Sequence, residues 1–201
     1  MFNTNKRGAA LRNIANKLDL EYQPTDEWGI LPQLQDFKLF RSGFNGKARH
    51  ILSRQDELME STVHIFDYRY LVWSGKSTRK IEQTVFFLES QKLGLPEFYM
   101  QPERFFHRIG ELLSLTEDID FEGHIDFSYN YRLTGKEEGY IRHSFKEDVL
   151  RFFAIEKGWS MEGMGFYLVL YKKNKILKPI LIEGFYNKGL GLYEQLSDPL
   201  L

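Results

Sequence analysis

The run Val63-His64-Ile65-Phe66-Asp67-Tyr68-Arg69-Tyr70-Leu71-Val72-Trp73 is almost wholly β-forming, yet Asp67 and Arg69 sit in its middle. It passes through Ser74-Gly75-Lys76-Ser77 into a second β-forming run from Ile81 to Leu88. Two such runs joined by a tight glycine-containing link specify a long antiparallel hairpin. With Gly75 and Lys76 as the loop, a type II′ turn is natural, because glycine supplies positive φ at the first loop position. The register follows. Trp73 faces Thr78, Arg69 faces Glu82, Tyr68 faces Gln83, Asp67 faces Thr84 and Phe66 faces Val85.

Side chains of a strand alternate between faces. Val63, Ile65, Asp67, Arg69, Leu71 and Trp73 therefore share one face, and His64, Phe66, Tyr68, Tyr70 and Val72 the other. Both faces are largely apolar, so both are expected to be covered. Asp67, Arg69, Glu82 and Thr84 then form a partly buried polar cluster, with an Arg69–Glu82 ion pair and an Asp67–Thr84 hydrogen bond. A buried cluster must satisfy itself or it is costly. It serves either as a device that fixes strand register or as the floor of a polar pocket.

Around this hairpin the chain reads as mixed helix and strand. Leu11, Ile14, Ala15 and Leu18 mark a helix over residues 6–18. Leu20 to Tyr22 is a short strand, and Pro24 to Asp36 is an ordered loop around Trp28, Leu31 and Leu34. Phe37 to Arg41 reads as a strand followed by a turn at Gly43 and Gly46. Ala48 to Gln55, Thr62 to Trp73 and Thr78 to Ser90 form a meander, its short links implying antiparallel neighbours. Leu95 to Met100 is extended. Pro102 opens a helix to Leu113, where its missing N–H is tolerated. Ser144 and Glu147 have the spacing of a capping box for a helix over residues 145–157. Trp159 to Glu162 and Phe166 to Lys172 make a hairpin around Gly163-Met164-Gly165. From Pro179 the chain starts helically, but Gly184, Gly189 and Gly191 argue against a long continuation.

Composition removes whole classes of chemistry. The chain of 201 residues is long enough for a substantial core and has no cysteine, which excludes thiolate nucleophiles, disulfides and cysteine-based metal sites. A formal charge of -1 gives no overall pull toward nucleic acid. No run approaches the ~18 apolar residues of a membrane span. Ser74 to Thr78 imitates the end of a phosphate-binding loop, but Tyr70 stands where that loop needs glycine and a strand follows instead of a helix. Lys76, Arg79 and Lys80 make the hairpin tip basic and suited to an acidic partner, although a solvated turn accounts for them as well.

Asp118, Asp120, Glu122 and Asp126 are the candidate metal ligands. Read as a calcium loop from Asp118, the segment has Gly123 at the sixth position, but Tyr129 replaces the bidentate glutamate at the twelfth. Read as an extended edge, the acids and His124 line one face, and Ile119, Phe121, Ile125 and Phe127 the other. The histidines form no zinc-protease array, and no nucleophile–base pair can be assigned by spacing.

Several segments together resemble a family of uncharacterised bacterial proteins found across many phyla. They are Phe66 to Tyr70 with Gln83-Thr84-Val85, Leu95 to Phe98, Asp118 to Phe121, Phe127-Ser128 with Tyr131 to Gly135, and Trp159 to Gly163. The resemblance spans nearly the whole chain in the same order. Its members often carry an N-terminal membrane segment, whereas the first helix here is amphipathic. The resemblance implies a bacterial origin and a shared polar site at Asp67, Arg69, Gln83, Asp118 and Asp120, and it transfers no activity.

The expected fold is α+β, an antiparallel β-meander with flanking helices. It is taken as one domain over 1–201, with 1–100 and 101–201 as its lobes if it divides. The leading function is a non-enzymatic protein-interaction or assembly module in the cytoplasm, with a protein partner, no nucleic acid, no cofactor, and room for peripheral membrane association. The alternative is an enzyme or small-ligand-binding domain using the cluster of Asp67, Arg69 and Glu82.

Overall fold

The computed structural model describes residues 4–56, 60–103 and 118–197. Its frame is an eight-stranded, wholly antiparallel sheet in the order β1-β2-β3-β4-β8-β7-β5-β6. The strands are β1 Glu21–Thr25, β2 Phe44–Asp56, β3 Ser61–Ser74, β4 Ser77–Ser90, β5 Leu95–Pro102, β6 Tyr131–Gly135, β7 Ser160–Gly165 and β8 Tyr167–Tyr171. The helices are α1 Thr4–Lys17, α2 Ile30–Gln33, α3 Lys38–Arg41, α4 Ile125–Asn130, α5 Glu138–Ser144, α6 Glu147–Ile155 and α7 Ile182–Leu196. The α+β antiparallel class expected from the sequence is what the chain adopts.

The central hairpin has the register its turn dictates: Trp73 opposite Thr78, Arg69 opposite Glu82, Asp67 opposite Thr84 and Phe66 opposite Val85. Gly75 has φ +61°, while Lys76 is outside the positive-φ region, as a type II′ turn requires. Both sheet faces are covered. On one, Val63, Ile65, Phe86, Leu168 and Leu170 pack with Leu11 and Ala15 of α1 and Phe185 and Leu192 of α7. On the other, Phe66, Tyr68, Val85, Phe87 and Val169 pack against Ile30, Leu34, Phe37 and Leu39. Val85 to Leu88 of β4 are completely buried, so this strand forms the middle of the core.

Several local readings are corrected. Phe37 to Arg41 is not a strand: Lys38–Arg41 is a helical turn whose first amides are held by a distant carboxylate, described below. The Gly43/Gly46 turn is the irregular start of β2, with a register shift between Phe44 and Lys47. Pro102 closes β5 instead of opening a helix, and the rest of the helix expected over 102–113 lies outside the described residues, save Glu103. The capping box does not form; Lys146 is the N-cap of α6, and the Ser144 hydroxyl donates to the Tyr140 carbonyl within α5.

The glycines do not stop α7. Gly189 lets the helix lie flat on β4, because a Cβ there would come within 2.3 Å of the Phe86 ring. Gly184 faces open space. Gly184→Ala is therefore expected to raise stability by about 0.5–1 kcal/mol through helix propensity. Gly189→Ala should lower it by ~1–3 kcal/mol through overpacking, although alanine favours helix. Thermal unfolding of the two variants separates these effects.

Candidate functional site

Asp67 projects from β3 toward α1. Its carboxylate accepts from Arg7 Nε at 2.6 Å and Arg7 Nη2 at 2.8 Å, a bidentate pair whose side chains are 11% and 12% exposed. The Thr84 hydroxyl donates to Asp67 Oδ1 at 2.9 Å, and Thr84 Oγ1 in turn accepts from the Leu177 amide at 2.9 Å. Arg7 Nη1 completes the ring by donating to the Leu177 carbonyl at 2.8 Å. One arginine thus ties α1, β3, β4 and the segment before α7 together.

The expected Asp67–Thr84 hydrogen bond forms, but the Arg69–Glu82 ion pair does not. Glu82 pairs instead with Lys80, which lies two residues away on the same strand and face, at 2.8 Å. Arg7 was not foreseen. Its signal was its place four residues before Leu11, on the apolar stripe of the helix, where an arginine needs a buried anion.

The polar set implied by the family resemblance does not converge. Gln83 is fully buried on the face opposite Asp67 and accepts from the Asn174 amide. Asp118 lies beside β6 at the far edge of the sheet, where Oδ1 accepts from the Leu133 amide at 3.0 Å. Burial raises its pKa. The extended reading of residues 118–126 also fails: Ile119 runs along β6, a turn follows, and α4 starts at Ile125, which is exposed. Asp120, Glu122 and Asp126 are exposed, and His124 pairs with Glu147 at 2.8 Å. Among the described residues no three His, Asp or Glu side chains converge to hold a metal ion.

A second polar centre escaped the sequence reading. Glu162 of β7 is 2% exposed. It accepts from the Lys38 amide at 2.6 Å, the Leu39 amide at 3.1 Å and the Tyr171 hydroxyl at 2.9 Å. It thereby caps α3 from across the core, which explains why a strand-like sequence turns helical there. Burial raises the Glu162 pKa, while Tyr171, the two amides and Lys38 oppose the shift. Nearby, Lys173 and the Tyr99 hydroxyl both donate to Gln101 Oε1, at 2.9 and 2.8 Å. Burial lowers the Lys173 pKa to about 8 against the pull of Glu162. A cavity of about 220 Å³ opens beside this centre, bordered by Lys38, Tyr99, Thr134 and Glu162.

A larger cavity, about 560 Å³, lies between β1, β2 and β3 and includes Trp28, Ser53, Gln55, Thr62 and His64 in its walls. The His64 ring sits between Trp28 at 6.0 Å and Phe87 at 5.8 Å, and its Nδ1 is buried without a hydrogen-bond partner. Burial lowers the His64 pKa to about 4, with Asp26 opposing.

Comparison with protein families and with curated proteins returned no match. Among solved structures, the crystal structure of the mycobacterial trehalose monomycolate transport factor A, TtfA, has a similar fold, with a TM-score of 0.61 and 12% sequence identity. The alignment covers 94% of this chain and 90% of that one. The likeness is one of fold.

Two stability predictions follow from this geometry. Asp67→Ala, which leaves Arg7 without its partner, should cost about 3 kcal/mol. The Arg7→Ala/Asp67→Ala double variant should lose ~1–3 kcal/mol less than the sum of the single changes. Urea unfolding of the four proteins checks both values. His64 is neutral in the folded state down to about pH 4, whereas in the unfolded chain it binds a proton near its ordinary pKa of 6.5. The unfolded state therefore takes up the proton first as pH falls, and stability is lost between pH 6.5 and about 4. The loss is about 3 kcal/mol for this group. His64→Phe should remove that part of the pH profile, read from unfolding midpoints across the same range.

Proposed function

We propose that this protein is a non-enzymatic interaction and assembly module, of bacterial origin, working with a protein partner on the cytoplasmic side of a membrane. The observation that carries the reading is how the buried carboxylates are used. Asp67 and Glu162 are engaged by the chain's own arginine, hydroxyls and amides, and join segments 60 and 124 residues apart. Both groups are occupied in holding a scaffold together, Glu162 at the wall of the smaller cavity. The similar fold of a protein named as a transport factor supports work as one component of a larger assembly. Among the described residues no helix is long and apolar enough to cross a membrane, so membrane association of these elements would be peripheral.

A small-ligand-binding domain is the second reading. It moves from the Asp67 cluster, whose anion is already paired, to the cavity beside His64, where an imidazole nitrogen lacks a partner.

Affinity capture at native expression level, followed by intact-mass analysis of the eluted species, distinguishes the two. The module predicts a stoichiometric protein complex that re-forms from purified components. A monomer that elutes with a bound small molecule and no protein partner would overturn it.

A further inference from the structure

The formal charge of -1 conceals a strong segregation. Residues 44–47 of β2 and 69–82 of the central hairpin carry Lys47, Arg69, Lys76, Arg79 and Lys80 against one carboxylate, Glu82. That is +4 on this end of the sheet and -5 on the remainder of a chain whose total is -1. Even Glu82 is paired with Lys80.

The same end projects from the body. β8 meets β4 only from Val85 to Glu89, and β2 follows β3 only as far as Leu71, opposite Phe44. Val72 still packs against the core of one sheet face, and beyond it Trp73 to Thr78 form a two-stranded arm whose end lies roughly 10 Å past the last paired residue of β2 at ~3.3 Å per residue. Residues 73–80 are all exposed. Trp73 is 74% exposed and meets the ring of Phe44, itself 39% exposed, at a ring separation of 5.4 Å. Strand alternation puts Leu71, Lys80 and Arg69 on the same face as Trp73.

We propose that this arm docks tip-first on an anionic lipid surface, with Trp73 at the headgroup level and Lys76, Arg79 and Lys80 against the lipid charges. Indole rings favour the membrane–water interface, having an apolar body and a polar N–H. Lysine and arginine beside an anionic leaflet each strengthen binding by about fivefold. A flat anionic surface suits the shape: it meets the projecting tip and leaves the acidic remainder at about a Debye length, ~10 Å at 0.1 M salt. A polyanion that wrapped the protein would be brought against that acidic remainder. A convex tip also offers no groove in which a partner's side chains could be buried. The inference rests on the preceding reading only for the biological setting, because lipid binding needs no protein partner.

The test is co-sedimentation of the purified chain with phosphatidylcholine vesicles containing about 30% phosphatidylglycerol, and with pure phosphatidylcholine vesicles. Binding is expected only to the anionic vesicles, with loss as salt rises from about 0.1 to about 0.5 M. The triple variant Lys76→Gln/Arg79→Gln/Lys80→Gln should bind roughly 100-fold more weakly. Trp emission should shift to the blue on binding, and Trp73→Ala should abolish that shift. The substituted side chains are exposed, and an unchanged thermal midpoint confirms the folding of each variant. Equal binding to neutral vesicles, no binding to anionic ones, or full binding by the triple variant would each overturn the proposal. So would tighter binding to polyglutamate than to anionic vesicles, the result expected of a site for an acidic protein. A chain that binds vesicles as expected but forms no protein complex refutes the assembly reading alone.

Discussion

Burial of both faces of the central hairpin is the constraint on which the other features depend. A strand covered on one side can turn a charge to water; β3 and β4 cannot do so along most of their length. Asp67 in the middle of β3 therefore needs an internal counter-charge, and Arg7 supplies it from 60 residues away. The requirement fixes more than one side chain. It sets where α1 lies on the sheet, and through Leu177 it anchors the chain entering α7. Glu162 does the equivalent on the opposite face, where it accepts the amides that start α3 and holds residues 37–39 against the aromatic core. Each sheet face is thus pinned to its cover by one buried carboxylate. Removal of either anion would strand donors in a low-dielectric interior, which is why such sites tolerate little change.

What was legible in the sequence was local. Period-two patterning and the glycine-containing turn gave the β3–β4 register residue by residue, because a hairpin's two strands are aligned by the turn between them. The antiparallel class, α1 and the existence of the β7–β8 hairpin followed from similarly short-range signals, but its turn is at Gly165-Phe166, with Gly163 and Met164 paired inside the strand instead of forming the turn. Failures came where a distant partner decided the outcome. Phe37 to Phe40 alternates like a strand, but Glu162 supplies the acceptor that makes a helical turn better satisfied. Gly189 looks like a helix breaker until Phe86 is seen filling the space a side chain would need. Arg69 faces Glu82 as the register requires, yet the flexible Lys80 on the same strand takes the carboxylate. A register sets which residues are neighbours; it does not decide which of several cations an acid will choose.

The polar sites show the same divide. Asp67 and Thr84 were recognisable because they face each other across one hairpin. The centre around Glu162, Tyr171, Tyr99 and Lys173 was not, because its members lie among ordinary residues of β5, β7 and β8 and of the turn after β8, and no spacing marks them. The acidic segment from Asp118 misled for the converse reason. Its acids are close in sequence, but the turn before α4 spreads them over the surface, and Asp118 is occupied with the β6 backbone.

Net charge was also a poor guide, because it averages over a molecule that is polarised. Packing accounts for most of the body of the protein: most of its large apolar side chains are buried, and its buried carboxylates are bonded within the chain. Trp73 is one of several large apolar side chains that stand exposed, and it stands among cations. It lies beyond the last neighbouring strand, contributes little to the core, and exposes a large apolar ring that folding alone would replace with a polar residue. The cations around it outnumber the one carboxylate on the same stretch, Glu82, and the excess costs stability unless something external offsets it. A group of exposed side chains placed where the hairpin runs past its neighbouring strands is better accounted for by what the protein meets than by how it folds. The rigid, doubly covered sheet then has a mechanical role. It holds the arm as a stiff extension of β3 and β4, so that engagement at the tip orients the whole domain.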